Sequence, residues 1–266
     1  MLFQNPVVAI LIIVLMILIL VRGISCLMKK RTGRGSKEDM PEDLTGQLKK
    51  IPGRIPEKLM LRVQEEGINL IPELVGFWPE LSPEKQDELW NFWESQGYIE
   101  TYIKRLGAKN EEQCIEAARV LMGVKNKKLI FPLLDALTAP KEYVPARVAE
   151  VLLSFGPEAA EALVRRLPEF PPEAKCRAIA ILEEFGDPQV VPFLLQELSH
   201  ASSQVRMKAL DAIGELGSKE VAINIMKMMD DHDWGVRARA AKALGKIKAP
   251  QAIPVLEKAL QDEAWW

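Results

Sequence analysis

Residues 231–256 read DHDWGVRARAAKALGKIKAPQAIPVL, and residues 200–225 read HASSQVRMKALDAIGELGSKEVAINI. The two stretches begin about 30 residues apart, and each has a Val-Arg step followed by small and apolar residues at helical spacing. A repeat of this length is typical of a solenoid, in which each unit buries its apolar side against its neighbours. These stretches therefore predict an all-α chain, an α-solenoid of antiparallel helix pairs, with no β-sheet.

The turn between the two helices of a pair recurs along the chain at nearly equal intervals, at Gly67, Gly97, Lys125, Gly156, Gly186, Gly217 and Lys248. Glycine is favoured where a helix ends in a left-handed conformation, and lysine is compatible with a helix C-terminus. This spacing predicts about seven pairs, with helices over 56–66, 69–80, 83–96, 98–106, 110–123, 127–137, 143–154, 157–167, 172–184, 188–199, 204–216, 219–229, 234–247 and 250–261.

The N-terminus has a different character. Residues 6–21 are apolar without interruption, and Arg22 is the single charged residue in 1–28. Because a bilayer needs about 20 apolar residues, we expect a transmembrane helix in 1–28, with residues 3–21 in the membrane. Five cations and no acid lie in residues 29–37. Positive flanks stay in the cytoplasm, so we expect a single-pass protein of the cell (inner) membrane, with its N-terminus outside and its solenoid cytoplasmic.

An exported protein is the alternative to this topology. Residues 23–26 (GISC) resemble a lipoprotein processing box, and cleavage before Cys26 would give a lipoprotein or a periplasmic binding protein. The expected organisation after the span is a flexible tether over 29–53, degenerate helical repeats over 54–140 and clear repeats over 141–266. The tether is predicted from its Gly, Pro and charge content and its lack of apolar periodicity.

Composition excludes several kinds of site. Residues 38–266 hold 29 of the 35 Lys and Arg and all 37 Asp and Glu, so they carry a net charge of −8 and should not attract nucleic acid. Three widely spaced cysteines and two histidines, His200 and His232, predict neither disulfides nor a metal site. We find no nucleotide-binding, metalloprotease or nucleophile-elbow motif, so no cofactor and no catalytic residue is predicted.

The stretch 231–256 resembles a HEAT repeat, in particular the phycocyanobilin-lyase subgroup. The resemblance rests on Asp231, Val236, Arg237, Ala240, Ala241, Ala243, Leu244, Gly245, Ala252, Ile253, Pro254 and Leu256. It implies a superhelix with the Val-Arg helices on its concave side. It also implies a ladder between adjacent units, in which an arginine joins the acid six residues before it.

Asp231 and Arg237 fit the pattern of this ladder. The equivalent earlier pairs are His200 with Arg206, Glu169 with Lys175, and Ala139 with Pro145. The ladder is therefore partly lost, and we expect a bend at 139–145.

A basic column lies two residues after the ladder position, at Arg147, Arg177, Lys208 and Arg239. One interpretation is a solvated rim whose cations pair with local acids such as Glu150 and Asp211. The other is a cationic stripe on the inner face that binds an acidic segment of a partner protein.

Six aromatic residues cluster at the second predicted pair, namely Trp78, Trp90, Phe92, Trp93, Tyr98 and Tyr102. They predict either core or a docking patch.

These observations favour a membrane-anchored, cytoplasm-facing scaffold that binds another protein on its concave face and has no chemistry of its own. The resemblance implies a second hypothesis, a bilin lyase-like enzyme or a chaperone for a chromophore protein. The second helix of the last pair, 250–261, should lack an outer neighbour. We therefore expect either a truncated chain or an end that docks on a protein or a membrane.

Overall fold

The computed structural model describes residues 44–138 and 146–262, and the chain divides into two compact parts, 1–50 and 51–266. In the first part the described residues form one short helix, Leu44–Lys50, although the sequence predicted an irregular tether over 29–53. Leu44 and Leu48 are buried and stand one helical turn apart, a signal that the surrounding Gly and charge obscured. The predicted transmembrane segment lies outside the described residues. Among the helices that are described, none has the length and apolar character to cross a bilayer.

The second part consists of antiparallel helix pairs, which we number as repeats 1 to 7. Their first helices are Glu57–Glu66, Pro83–Ser95, Glu111–Val124, Ala146–Leu153, Pro172–Phe185, Ser203–Leu216 and Trp234–Lys246. The α-helical cores of their second helices are Ile71–Val75, Tyr98–Arg105, Ile130–Ala136, Pro157–Arg166, Val191–Gln196, Ala222–Lys227 and Ile253–Ala259. The described residues contain no strand. The predicted all-α architecture is thus confirmed, and most boundaries agree within a few residues.

The second helices differ from the first in one respect. Several begin with a 3₁₀ turn, as at Lys127–Leu129, Pro188–Val190, Lys219–Val221 and Pro250–Ala252. A tighter first turn is common at helix termini. Asp187 and Asn126 each accept a hydrogen bond from a backbone amide in the turn that follows them.

Six of the seven predicted turn residues have a positive φ, including Lys125 at 45° and Lys248 at 50°. Gly217 is the exception, with φ −78° and ψ 167°. Glycine is needed there because of close approach, since a Cβ at Gly217 would lie 2.5 Å from the Ile213 carbonyl oxygen. The register was therefore predicted correctly, while the reason for glycine differs at this turn.

The core runs along the stack of first helices. In repeats 5 to 7 the helices Pro172–Phe185, Ser203–Leu216 and Trp234–Lys246 pack on one another in order. Small residues permit this, because a Cβ at Gly214 would lie only 3.0 Å from the Cα of Ala243 in the next helix. Each repeat therefore shields its neighbour, as the regular period of the sequence predicts.

Candidate functional site

The best-defined polar contact joins repeats 6 and 7. Arg206 donates from Nε to Asp231 Oδ2 at 2.9 Å and from Nη2 to Asp231 Oδ1 at 2.8 Å. Its Nη1 donates to the His200 carbonyl oxygen at 2.9 Å. Both charged side chains are more than 90% buried. The arginine thus bonds the backbone six residues before it and the carboxylate of the next repeat, so the ladder crosses the junction between repeats.

The same geometry recurs one period later. Arg237 donates from Nε and Nη2 to the two carboxylate oxygens of Asp262, at 2.6 and 2.8 Å, and from Nη1 to the Asp231 carbonyl oxygen at 2.9 Å. These contacts raise the pKa of Arg237 above its usual range, with the hydrogen bond to Asp262 as the main cause. Asp231 and Asp262 are separated by the same interval as Arg206 and Arg237. Sequence analysis paired Arg237 with Asp231 and did not single out Asp262, although the equal spacing of the acids and the arginines is a signal that points to it.

The electrostatics of Asp231 follow from its surroundings. Burial alone would raise the pKa of this carboxyl group, but hydrogen bonds from Arg206 and from the Asp233 amide hold the pKa below its usual range. The folded junction therefore favours the ionised form of Asp231.

The expected pair of Glu169 with Lys175 was wrong. Lys175 Nζ instead contacts both carboxylate oxygens of Glu197, at 3.0 and 3.1 Å, and both side chains are buried. The reason is that His200 occupies the position where repeat 6 would supply the acid, so the lysine binds an acid one turn earlier. Glu169 pairs with Arg166 at 2.8 Å. The expected gap at Ala139 and Pro145, and the bend there, lie outside the described residues.

The histidines have structural contacts. The Ser202 amide donates to His200 Nδ1 at 3.0 Å, the role that the Asp231 carboxylate plays for the Asp233 amide at 2.9 Å. His232 is largely exposed, and its Nδ1 lies 3.5 Å from Asp231 Oδ1. Within the described residues, no group of three or more His, Cys, Asp or Glu side chains could hold a metal ion.

The predicted basic column lies along the stacked first helices, and each of its cations has a local acceptor. Arg239 Nη1 donates to both oxygens of Asp211 at 2.8 Å, and Lys208 Nζ donates to Glu183 Oε2 at 3.0 Å. In both pairs the cation of one repeat contacts an acid of the preceding repeat. This direction is opposite to that of the buried ladder.

The remaining members of the column are in repeats 4 and 5. Arg147 Nη1 donates to Glu150 Oε2 at 2.9 Å within one helix. Arg177 Nη1 donates to the Leu137 carbonyl oxygen at 2.7 Å, and its side chain is partly buried. We call the surface that carries Arg147, Arg177, Lys208 and Arg239, together with Glu150, Glu183 and Asp211, the charged face.

Three cations of the charged face thus form ion pairs with local acids, and Arg177 donates to a backbone carbonyl instead. The ion pairs remain accessible, since the side chains of Arg239 and Arg147 are 45% and 36% exposed. Exposed pairs of this kind contribute about 0–1 kcal/mol each. A partner that supplied its own carboxylates could exchange with them at little cost, so protein binding by these residues stays a prediction.

Two equivalent grooves lie between neighbouring second helices. One has a volume of about 820 Å³ and is lined in part by Ile99, Ile103 and Pro132. The other, of about 650 Å³, is lined by the equivalent residues Ala160, Val164 and Phe193, among others. An i,i+4 ion pair stands on one wall of each groove, Glu100 with Lys104 and Glu161 with Arg165. Sequence analysis had not singled out this surface.

The aromatic cluster is mainly core. Trp78 and Trp93 stack with ring centroids 5.0 Å apart, and Trp90, Trp93 and Tyr102 are almost fully buried. Phe92 and Tyr98 meet edge to face at 6.0 Å. The cluster therefore stabilises repeats 1 and 2 rather than offering a patch of exposed rings.

The family model for HEAT repeats matches residues 160–224 and 191–266. No curated protein matches the sequence. Two solved structures of engineered proteins are similar to this chain. The first has 18% sequence identity, the match covers 83% of this chain and 69% of the engineered protein, and the TM-score is 0.35. The second has 22% sequence identity, the match covers 78% of this chain and 89% of the engineered protein, and the TM-score is 0.26. A third belongs to a report that crescerin uses a TOG domain array to regulate microtubules in the primary cilium, at 18% identity over 77% and 82% (TM-score 0.30).

Proposed function

We propose that this chain, whose residues 160–266 are HEAT repeats, is a protein-binding scaffold that an N-terminal membrane anchor holds on the cytoplasmic side of the cell membrane. The observation that carries the binding role is the charged face, which extends across successive repeats instead of closing around a pocket. HEAT repeats are mostly interaction modules, and the resemblance to them implies that the Val-Arg helices lie on the concave side.

The chemistry of the charged face favours a partner with an acidic segment. Arg239 and Arg147 present planar guanidinium groups, which bind carboxylates through two parallel hydrogen bonds. Asp211 already binds Arg239 through both of its oxygens. A partner carboxylate would take the place of Asp211 or share the guanidinium with it, and the regular spacing of the repeats would set the spacing of the acids that bind.

The test of binding is recovery of the partner from detergent extracts of membranes. Arg147→Glu with Arg239→Glu reverses two exposed cations of the charged face. We expect the amount of partner recovered to fall at least tenfold. The matched control reverses Lys104 and Arg165, which are 73% exposed on the second helices. Equal recovery with both double variants would remove the charged face from the proposal.

The anchor and the orientation rest on the apolar run 6–21 and the cations that follow it. Protease digestion of intact and of lysed cells tests both together. We expect the repeats to be cleaved after lysis only, while the chain stays in the membrane fraction. Cleavage in intact cells, with a mature N-terminus at Cys26, would favour the exported lipoprotein.

A further inference from the structure

We propose that the acidic segment bound by the charged face adopts a polyproline II conformation and carries its acids at multiples of three residues, with no acid needed opposite Arg177. This inference rests on the proposed function, because it concerns the partner of the same surface. It goes further by giving the backbone conformation of the bound segment and the positions of its acids.

The first observation is the regular interval between the cations of the charged face. Arg177, Lys208 and Arg239 are each the sixth residue of a first helix. The first helices of repeats 4 to 7 pack on one another in order. Packed helices lie about 8–10 Å apart, depending on the side chains between them. The contact is close in repeats 6 and 7, where a Cβ at Gly214 would lie 3.0 Å from the Cα of Ala243. One cation therefore follows another at about this interval, towards its lower end.

This interval favours one conformation of the bound segment. A polyproline II helix has three residues per turn and rises about 3.1 Å per residue, so every third side chain lies on one side at intervals of about 9 Å. A β-strand turns successive side chains to opposite faces and rises about 3.3 Å per residue, so acids on one face lie about 6.6 or about 13 Å apart. An α-helix places residues i and i+7 on one side about 10.5 Å apart, which exceeds the spacing of closely packed helices.

The second observation is that Arg177 already has a role in the fold. Its Nη1 donates at 2.7 Å to the carbonyl oxygen of Leu137, the residue that caps the C-terminus of helix Ile130–Ala136. A cation is favourable at a helix C-terminus. The other three cations of the charged face bind carboxylates, which the carboxylates of a partner can replace. An acid of the segment opposite Arg177 should therefore add little to the affinity.

The positions of the acids follow from this gap. A segment that runs from repeat 4 to repeat 7 needs acids at its positions 1, 7 and 10, to contact Arg147, Lys208 and Arg239 in turn. A segment that runs in the opposite direction needs them at positions 1, 4 and 10. The two patterns differ, so the pattern that binds also reports the direction of the segment.

The third observation is an additional cation in repeat 7. Lys242 follows Arg239 by about one helical turn, at the position that Asp211 and Glu150 occupy in their own repeats. Lys242 is exposed and has no ion pair within the described residues. A carboxylate of the partner can bind this lysine without displacing an acid of the chain. Repeat 7 should therefore bind its end of the segment more strongly than repeat 4 binds the other end.

Synthetic peptides test the pattern. Two proline-rich peptides carry three glutamates each, one at its positions 1, 7 and 10 and the other at 1, 4 and 10. Proline holds both peptides in the polyproline II conformation. A control of the same composition carries the glutamates at positions 1, 3 and 5, and a helical peptide carries three glutamates at intervals of seven residues. Fluorescence anisotropy with the detergent-solubilised full chain measures the affinity of each peptide.

We expect one of the two spaced peptides to bind about tenfold more tightly than the control and the helical peptide, because its three carboxylates contact three cations together. A fourth glutamate opposite Arg177 should change this affinity by less than twofold. Lys208→Met and Lys242→Met should each weaken binding by about threefold to fivefold. Lys104→Met, which alters a 73% exposed lysine of a second helix, should leave binding within twofold. Circular dichroism checks that each variant is folded.

The outcomes separate this inference from the proposed function. Equal affinity of the spaced peptides and the control would overturn the inference but leave an acidic partner in place, because charge alone would then explain binding. Tighter binding of the helical peptide would overturn the polyproline II conformation in the same way. Failure of every acidic peptide to bind would overturn both the inference and the acidic partner of the proposed function.

Discussion

Arg206 of repeat 6 binds both carboxylate oxygens of Asp231 of repeat 7, at 2.8 and 2.9 Å, and both side chains are shielded from water. The pair therefore belongs to the junction between repeats and not to either repeat alone. A charge buried in this way is costly if its partner is removed. It follows that the junction depends on the two residues together.

Replacing Asp231 with Ala should destabilise the fold by about 3 kcal/mol, because it leaves the Arg206 guanidinium buried without its counter-charge. Guanidinium-induced unfolding of the detergent-solubilised chain, followed by circular dichroism, measures this. Asp211→Ala is the matched control, since it breaks the exposed pair with Arg239 and should cost at most about 1 kcal/mol. Equal losses would mean that the Arg206–Asp231 contact does not hold the junction.

The same carboxylate should make stability depend on pH. The pKa of Asp231 is lower in the folded protein than in the unfolded chain, so the unfolded chain binds the proton more tightly. The stability that ionised Asp231 contributes is complete above about pH 5. It is lost as the pH falls below the pKa of an aspartate in the unfolded chain, near 3.9, towards the lower pKa of Asp231 in the folded protein. Asp231→Asn should flatten this part of the stability profile. If the stability of the Asp231→Asn variant falls at low pH as steeply as that of the unchanged protein, Asp231 is not the group responsible.

The buried pair of Lys175 and Glu197 predicts a non-additive result. Lys175→Met alone should be strongly destabilising, because Glu197 stays buried without a counter-charge. Lys175→Met with Glu197→Gln should recover much of the loss, since no buried charge then remains. A double-mutant cycle from denaturant unfolding measures the coupling, and additive effects would show that the two groups do not interact.

The helices and the repeat register could be predicted from the sequence, whereas most side-chain contacts between helices could not. Helix ends and the turn register follow from local signals, such as the Val-Arg step at Val236 and the glycine at Gly186, so they were accessible without coordinates. The binding partner of Arg206 was not, because pairing an arginine with the acid of the next repeat requires the relative placement of two helices. Glu197 also takes the role of the acid that is missing at His200. The spacing of residues along the sequence could not predict this, because it depends on how the helices pack.

The left-handed conformation of the turn residue Lys125 can be tested by substitution. Lys125 adopts a left-handed conformation with φ 45° and ψ 33°, which costs an L-residue about 1–2 kcal/mol. Lys125→Gly should therefore stabilise the fold by about 0.5–1 kcal/mol after the added freedom of the unfolded glycine is allowed for. Lys242→Gly, in the middle of an exposed helix surface, should instead cost about 1 kcal/mol. Thermal unfolding compares the two, and the same sign for both would contradict the turn geometry.

Two glycines should respond to alanine in opposite directions. Gly217→Ala should destabilise the fold, because the new Cβ would stand 2.5 Å from the Ile213 carbonyl oxygen. Gly245→Ala should stabilise it by about 0.5–1 kcal/mol, since this helical position is open and alanine restricts the unfolded chain. Thermal unfolding of both variants is the measurement. A stable Gly217→Ala variant would show that the turn can relax.

The central claim is that the charged face of the stacked first helices binds a protein partner, and site-specific photo-crosslinking in intact cells tests it most directly. A photoreactive residue at Ala180, between Arg177 and Glu183 on a first helix, should give one discrete adduct. The same residue at Ala162, on a second helix, should not. Reversal of Arg147 and Arg239 should abolish the adduct at Ala180. An adduct that survives this reversal, or one that forms equally at both positions, would contradict the account.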